Sequence, residues 1–409
     1  MSIIQEFEWR GLIKDVTNKD KIKIFEQEKS GVYIGFDPSF RSLHLGNYCM
    51  LLVLRRLKCA GYEPLAIIGG ATGQIGDPSG KNFERVIQQL STIERNGFAI
   101  KKQIEKYSNA EVFNNTTIYK DMNIFDFLRT VGKLININYL LEKEIISSRL
   151  STGISYAEFS YNLIQGYDFA WLYQNKNITC QIGGSDQWGN ITTGIEMIRK
   201  IFGDDNKACG ITINLLTKED GTKFGKSEKG AIYLDANLTT PFEMYQFLYN
   251  QPDNQIEKLL KMLTFLSKKE IEDIMLQHKK EPFKRTAQKT LTQLIIEDIH
   301  GKEIYKSCLD ISKAFYEGKI ETLTNELFNE AIKSLPTTLL KEQKYNVTDL
   351  LVLVDVCKSK SQARELIKTK SISINNKIID SFDFIVEQNT NKCMIIKKGK
   401  KNYFLIKWQ

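Results

Sequence analysis

Between about Ser30 and Asn214, short β-rich apolar runs take turns with longer amphipathic stretches, and this alternation constrains the fold more than any other feature of the chain. Residues 31–36, 64–69, 117–120, 178–183 and 211–216 read as strands, each closing near a Gly, an Asp or a polar turn. Between them, residues 48–60, 94–107 and 161–175 repeat apolar side chains every three or four positions, as helices do. Strands alternating with helices predict an α/β fold with a Rossmann-like parallel sheet covered on both faces. Ligands of such a sheet gather at the carboxyl ends of its strands.

After Thr240 the pattern turns purely helical, over residues 241–250, 254–266, 268–279, 282–300 and 302–316. Residues 322–346, rich in Thr, Asn, Pro and Lys, read as a connection. From Val347 a helix-rich start precedes short strands at 371–374, 393–397 and 403–406, a small α+β unit. The expected division is a Rossmann-like α/β domain over 1–235, an α-helical domain over 236–335 and a small basic domain over 345–409. Residues 345–409 hold twelve Lys or Arg against six Asp or Glu, so the tail carries +6 of the chain's net +8. A basic terminal module suits a polyanionic partner.

Composition excludes several classes. The 409 residues, 42% hydrophobic and 26% charged, have the make-up of a globular protein of two or three domains. The longest apolar run, residues 62–69, is far too short to span a bilayer. The first ten residues have no basic segment leading into an apolar one, so no secretory signal is expected and the cytoplasm is the expected compartment. Seven cysteines are scattered without a CxxC pair or neighbouring histidines, which argues against a disulfide framework or a zinc site. With only three histidines, any Ser/His/Asp chemistry must use His44, and nothing around it looks like a nucleophile elbow.

Three constellations carry chemistry. In the first, a strand containing Tyr33 ends at Asp37, Pro38 breaks it, Ser39 follows, and a helix begins near His44-Leu45-Gly46-Asn47. Imidazole and amide donors beside the unpaired N–H groups of a first helical turn suit phosphate oxygens, and Gly46 lets a flat ring approach the backbone. In the second, Lys223-Phe224-Gly225-Lys226-Ser227 sets two lysines three apart on a Gly-containing loop, able to neutralise charge that grows as a phosphoanhydride breaks. In the third, Tyr161, Gln165 and Asp168 fall at i, i+4 and i+7 on one helix face. Apolar neighbours Phe159, Leu163, Phe169 and Leu172 suggest that this face lines a cavity, and Gly184, Asp186 and Gln187 follow on the next strand and its loop.

The ordered pair His-Leu-Gly-Asn and Lys-Phe-Gly-Lys-Ser, some 180 residues apart across an α/β domain, resembles the nucleotide-binding signatures of class I aminoacyl-tRNA synthetases. The third constellation, together with the glycine-rich stretch Gly69 to Arg85, resembles the bacterial-type tyrosyl-tRNA synthetases. The resemblance implies a tyrosine-tRNA ligase that forms tyrosyl-adenylate from L-tyrosine and ATP, then passes the tyrosyl group to the 3′ end of tRNA(Tyr). It implies that Tyr33 and Asp168 hold the phenol hydroxyl, and that Asp77, Tyr161 and Gln165 hold the ammonium group. Asp186 and Gln187 would then lie against the ribose and aminoacyl parts, and Gly46 and Gly184 would flank the adenine. Asp37 belongs to the same ATP site, while Ser39, His44, Lys81, Arg85, Lys223 and Lys226 face the phosphates. Asn47 stands where the family signature has a second His, and Ser39 where Thr is common. Mg2+ is expected on ATP rather than in a protein cage, and a homodimer is implied. The tail resembles a small ribosomal RNA-binding domain, in which Lys358, Lys360, Arg364 and Lys368 would meet RNA phosphates.

Competing readings are weaker. Gly70 to Gly76 fits a dinucleotide fingerprint, but Asp77-Pro78-Ser79-Gly80 interrupts the helix such a fingerprint must open, and no acidic residue stands on a strand about 20 residues on. A non-catalytic descendant would have lost Asp168, His44 or Lys226, and all three are present. The tryptophan enzymes are the nearest relatives, and the phenol pair Tyr33 and Asp168 sets this chain apart from them.

Overall fold

The computed structural model describes residues 1–79, 87–150, 153–217, 224–227, 230–317, 319–333, 335–388, 393–399 and 402–408. The chain forms two compact units, one of residues 1–238 and 251–295, the other of residues 239–250 and 296–409.

The first unit is built on six strands: β1 (Ile13–Val16), β2 (Gly31–Phe36), β3 (Pro64–Ile68), β4 (Glu111–Asn114), β5 (Ile178–Gly184) and β6 (Cys209–Ile213). Its helices are α1 (Ile3–Trp9), α2 (Lys19–Glu28), α3 (Leu45–Cys59), α4 (Thr72–Ile75), α5 (Leu90–Ser108) and α6 (Thr116–Tyr119). They continue with α7 (Ile124–Thr130), α8 (Ile137–Leu141), α9 (Glu144–Ser147), α10 (Tyr156–Lys176) and α11 (Trp188–Phe202). The sheet order is β1-β6-β5-β2-β3-β4, and all neighbours are parallel except β1 against β6. From β2 the chain winds outward through β3 and β4, then returns to the other side of β2 through β5 and β6. This reversal opens a crevice at the carboxyl ends of β2 and β5.

Strand alternation decides which face each residue serves. Tyr33, Leu65 and Ile67 pack with Leu163, Phe169 and Leu172 of α10 and Met197 of α11. On the opposite face Gly97 of α5 lies against Ile68, where an added Cβ would sit 3.4 Å from the isoleucine Cγ2. Helix α10 starts at Ser155, whose hydroxyl accepts from Glu158 N at 3.3 Å, and stops at Asn177 in the left-handed conformation (φ 54°).

Farther on run a short ribbon, β7 (Lys226–Ser227) with β8 (Gly230–Ala231), and helices α12 (Pro241–Tyr249), α13 (Asp253–Leu263), α14 (Lys268–Lys280), α15 (Thr286–His300) and α16 (Lys302–Glu317). Capping boxes open α12 at Thr240/Glu243 and α14 at Ser267/Glu270. In the first unit the C-terminal end of α13 is held by Arg10, whose guanidinium donates to the carbonyls of Lys261, Thr264 and Leu266 at 2.9, 3.2 and 3.0 Å.

In the second unit follow α17 (Asn325–Lys333), β9 (Thr337–Leu340), β10 (Lys344–Asn346), α18 (Val347–Leu353), α19 (Lys360–Lys368), β11 (Ile372–Ile374), β12 (Lys377–Ile378), β13 (Ile385–Glu387), β14 (Cys393–Lys398) and β15 (Asn402–Trp408). Its five-stranded sheet has the order β12-β11-β14-β15-β9, and β9 joins β15 in parallel.

Three expectations are corrected. The strand expected at 117–120 is helix α6; the edge strand is β4, just before it. Asn114 Oδ1 accepts from Thr116 N and Oγ1 at 3.0 and 2.9 Å, an Asx turn that starts a helix despite the β-branched run. Strand β1 was not expected, because Lys14 and Asp15 interrupt its apolar pattern. The stretch 322–346, expected as a connection, contains α17, β9 and β10, and Leu340 is buried in the tail's core.

Candidate active site

The crevice between β2 and β5 is a cavity of about 390 Å³, and most of the expected site residues line it: Tyr33, Asp37, Ser39, His44, Gly46, Asn47, Asp77, Tyr161, Gln165, Asp168, Gly184, Asp186 and Gln187. Lys81, Arg85 and Lys223 lie outside the described residues, and Lys226 is described only as backbone, in β7.

At the closed end Tyr33 and Asp168 are 2% and 3% exposed. The Tyr33 ring meets Phe169 edge-on with centroids 5.4 Å apart, yet its hydroxyl has no hydrogen-bond partner. Burial, and then the neighbouring Asp168, push that phenol well above its ordinary pKa. Asp168 accepts from Tyr119 Oη at 2.7 Å on Oδ1 and from Asn115 Nδ2 at 2.9 Å on Oδ2. Burial raises its pKa to about 7 against the pull of those two donors.

Two helical turns back along α10, roughly 10 Å at 1.5 Å per residue, the cavity wall becomes anionic. Tyr161 Oη donates to Asp37 Oδ2 at 3.0 Å, while Thr72 Oγ1 donates to Asp37 Oδ1 at 2.9 Å. Gln187 Nε2 donates to Asp77 Oδ2 at 2.7 Å, and Gln187 Oε1 accepts from Gln165 Nε2 at 3.2 Å and Asn190 Nδ2 at 2.9 Å. Asn190 Nδ2 also reaches Gln165 Oε1 at 3.0 Å. This network points two carboxylates and an amide oxygen toward one region, which attracts a cation. Only glycine fits at position 69, where a Cβ would sit 2.0 Å from Asp37 Oδ1.

At the open end, His44 caps α3. Its Nδ1 accepts from Asn47 N at 3.2 Å, and Asn47 Oδ1 accepts from His44 N at 3.2 Å. The neutral ring therefore carries its proton on Nε2, and Asn47 keeps its Nδ2 donors. The second signature comes to the same helix start. Leu45 N donates to Ile232 O at 2.9 Å, Ile232 N donates to Gly225 O at 2.6 Å, and His44 bridges Tyr233. Gly225 sits at φ 84°, and a Cβ added to it would lie 3.2 Å from the Gly46 nitrogen, tighter than ordinary van der Waals contact. The backbone thus brings together two motifs that the sequence keeps far apart.

Sequence reasoning missed Thr72, Asn115 and Gln181, which line the cavity, and Tyr119 and Asn190, which hold its lining residues. Gln181 stands beside Tyr33 in the parallel register and could have been found from strand pairing alone. The others answer only to tertiary contact.

In the second unit, Lys358, Lys360, Arg364 and Lys368 are all exposed. Helix α19 turns Ala363 and Ile367 into the core and keeps Lys360, Arg364 and Lys368 at four-residue spacing on the outside; Lys360 pairs with Asp349. Among the described residues no cluster of metal-ligating side chains occurs and no helix is long and apolar enough to cross a membrane.

Comparison with known proteins identifies the family. Residues 26–317 match the family of class I tRNA synthetases for tryptophan and tyrosine, and residues 327–406 match the SYY-like C-terminal domain of tyrosine–tRNA ligases. The chain is 54% identical to a tyrosine–tRNA ligase of Ureaplasma urealyticum, covering 100% of this chain and 99% of that one. It is 44% identical to that of Mycoplasma capricolum, covering 99% of each. The solved structure of a C-terminally truncated mitochondrial tyrosyl-tRNA synthetase of Aspergillus nidulans superposes with a TM-score of 0.70 at 30% identity, covering 77% of this chain and 94% of that one. With both halves of the chain matched and full-length relatives at this identity, the chain belongs to the tyrosine–tRNA ligase family of class I aminoacyl-tRNA synthetases.

Proposed function

We propose that the cavity takes L-tyrosine at its closed end and ATP at its open end, so that the chain makes tyrosyl-adenylate and then charges tRNA(Tyr). The observation that carries this reading is the buried, unpartnered Tyr33 hydroxyl beside the buried Asp168 carboxylate. A phenol hydroxyl donates to the carboxylate and accepts from Tyr33, satisfying an atom that is otherwise left unpaired. The anionic wall of Asp77, Gln165 and Tyr161, two turns away along α10, then receives the ammonium group.

The tyrosine carboxylate attacks the α-phosphorus of ATP, and the bond from that phosphorus to the departing pyrophosphate breaks. No side chain forms a covalent bond, so the protein contributes positioning and electrostatics. His44 Nε2 and Asn47 Nδ2 donate toward phosphate oxygens at the α3 N-terminus. Gly46 and Gly184 admit the adenine, Asp186 and Gln187 meet the ribose and aminoacyl parts, and Asp37 and Ser39 complete the ATP site. Lys81, Arg85, Lys223 and Lys226 neutralise the leaving pyrophosphate. Mg2+ enters as part of the ATP substrate. The terminal ribose hydroxyl of tRNA(Tyr) then displaces AMP from the adenylate.

By function the chain divides into catalytic residues 1–235, helical residues 236–335 on the anticodon side and RNA-binding residues 345–409, where Lys358, Lys360, Arg364 and Lys368 face RNA phosphates. The protein works in the cytoplasm, where tRNA is charged, and as a homodimer. The apolar exposed side chains Ile124, Phe125 and Leu128 on α7, a helix with no buried residue, support the second point.

The test is exchange of pyrophosphate into ATP with tyrosine, tryptophan or phenylalanine as the amino acid. Exchange with tyrosine alone is expected; equal exchange with tryptophan, or none with tyrosine, overturns the reading.

A further inference from the structure

The Asp168 carboxylate is held from a segment that the reaction itself does not use. Helix α6 is only four residues long, set by the Asx turn at Asn114, and it presents Tyr119 to α10. The Tyr119 hydroxyl lies 2.7 Å from Asp168 Oδ1 and 2.8 Å from the carbonyl oxygen of Ile164, one turn earlier on the same helix. Asn115, four residues before it, holds the other carboxylate oxygen at 2.9 Å.

We propose that Tyr119 is a specificity-determining positioning residue, whose hydroxyl fixes the direction in which Asp168 presents its remaining lone pairs to the substrate phenol. The inference rests on the assignment of the cavity to tyrosine. A carboxylate gripped on both oxygens cannot turn without breaking one bond, so the acceptor direction left for a ligand is set before the ligand arrives. With Asn115 alone, the carboxylate pivots about a single contact and the phenol loses its fixed acceptor.

The two acceptors of the one Tyr119 proton give the arrangement a second property. When Asp168 is ionised, Tyr119 donates to it. When Asp168 is protonated, the tyrosine proton turns to Ile164 O and the hydroxyl oxygen accepts from the acid. The titratable groups facing this carboxylate are Tyr33 from β2, Asp37 from the loop beyond it, Tyr119 from α6 and Tyr161 from α10, while Tyr167 stands against the Tyr119 ring; after burial, Asp37 is the like charge that pushes the Asp168 pKa upward. Removing the Tyr119 hydroxyl takes a charge-assisted bond from the anion and only a weaker neutral one from the acid, so the acid limb of tyrosine use moves to higher pH.

The experiment compares wild type, Tyr119→Phe and Tyr167→Phe in pyrophosphate exchange across pH 5.5–9, with tyrosine and phenylalanine. Tyr119→Phe keeps the ring and removes one hydroxyl. Its preference for tyrosine is expected to fall roughly tenfold, the size of one hydrogen bond to a charged group. The fall should appear in KM for tyrosine, with kcat at saturation within about twofold, and the acid limb should shift upward. Tyr167→Phe, which alters the adjoining ring without touching Asp168, should leave selectivity and acid limb unchanged. An unshifted acid limb with intact selectivity in Tyr119→Phe overturns the clamp alone. A uniform drop in kcat for both amino acids overturns it too, as a merely structural effect. A wild type without tyrosine-dependent exchange overturns both the clamp and the functional assignment.

Discussion

Replacing Tyr33 by Phe should make the free protein more stable and a poorer reader of tyrosine. The ring is 2% exposed and keeps its edge contact with Phe169, so the change leaves no cavity behind. What it removes is a buried hydroxyl without a partner, a group whose desolvation costs on the order of 1–3 kcal/mol. Water entering the cavity recovers part of that cost, so about 1 kcal/mol is the expected gain, or a rise of roughly 2–4 °C in the thermal midpoint of the first unit. The bound state moves the other way, because the phenol oxygen loses its donor. A neutral hydrogen bond of about 0.5–1.5 kcal/mol corresponds to a three- to tenfold loss in kcat/KM for tyrosine, with phenylalanine hardly changed. Strong discrimination between tyrosine and phenylalanine is already established for the tyrosyl synthetases as a family, so the direction of this effect is known in advance. Calorimetry of the unliganded protein and pyrophosphate exchange with both amino acids measure the two halves. A Tyr33→Phe protein that is less stable, and equally selective, would refute the pocket as drawn.

Asp168→Ala should nearly abolish tyrosine activation, read as kcat/KM in the same assay; near-normal activity would count against the pocket. Because the folded pKa of Asp168, about 7, lies above its unfolded value near 4, its contribution to stability is fully present below about pH 4 and is lost as pH rises toward 7. The stability gap between wild type and Asp168→Ala should therefore be smaller at pH 8 than at pH 5, as chemical denaturation at both pH values would show. The role proposed for Lys226 on the leaving pyrophosphate predicts that Lys226→Ala lowers kcat for activation with little change in tyrosine affinity; lost binding with normal turnover would contradict that role. Removing residues 336–409 should leave adenylate formation within about twofold and weaken tRNA charging, with a deficit that is largest at low salt because the truncated chain has a shallower salt dependence; unimpaired charging would remove the tail from tRNA binding.

The parallel strands of the sheet were legible where apolar runs were long: β2 and β5 match the expected spans almost residue for residue. Shorter edge strands were not. β4 reads Glu-Val-Phe-Asn, with too little alternation to stand out, while the β-branched run after it was drawn into a helix by the Asn114 side chain. β9 is recognisable only through its pairing with β15, a contact no local pattern announces. In the site, residues within short motifs could be read directly, because their spacing encodes where a helix starts or which face it shows. The partners of Asp168 could not: Asn115 and Tyr119 reach it across 53 and 49 positions of chain. Nothing in their immediate neighbourhood distinguishes them from surface polar residues.

The pairing of β9 with β15 also orders events during synthesis. At about 5–20 residues per second, the roughly 60 residues separating the two strands take several seconds to make. Throughout that interval Leu340 and the rest of β9 have no strand to lie against, although β15 will later bury that leucine among the core residues of the tail. A nascent chain can therefore finish its first, six-stranded unit while its C-terminal module is still open. Ribosome stalling or nonsense termination before β15 would release a protein with a formed β2–β5 cavity and an exposed, aggregation-prone strand.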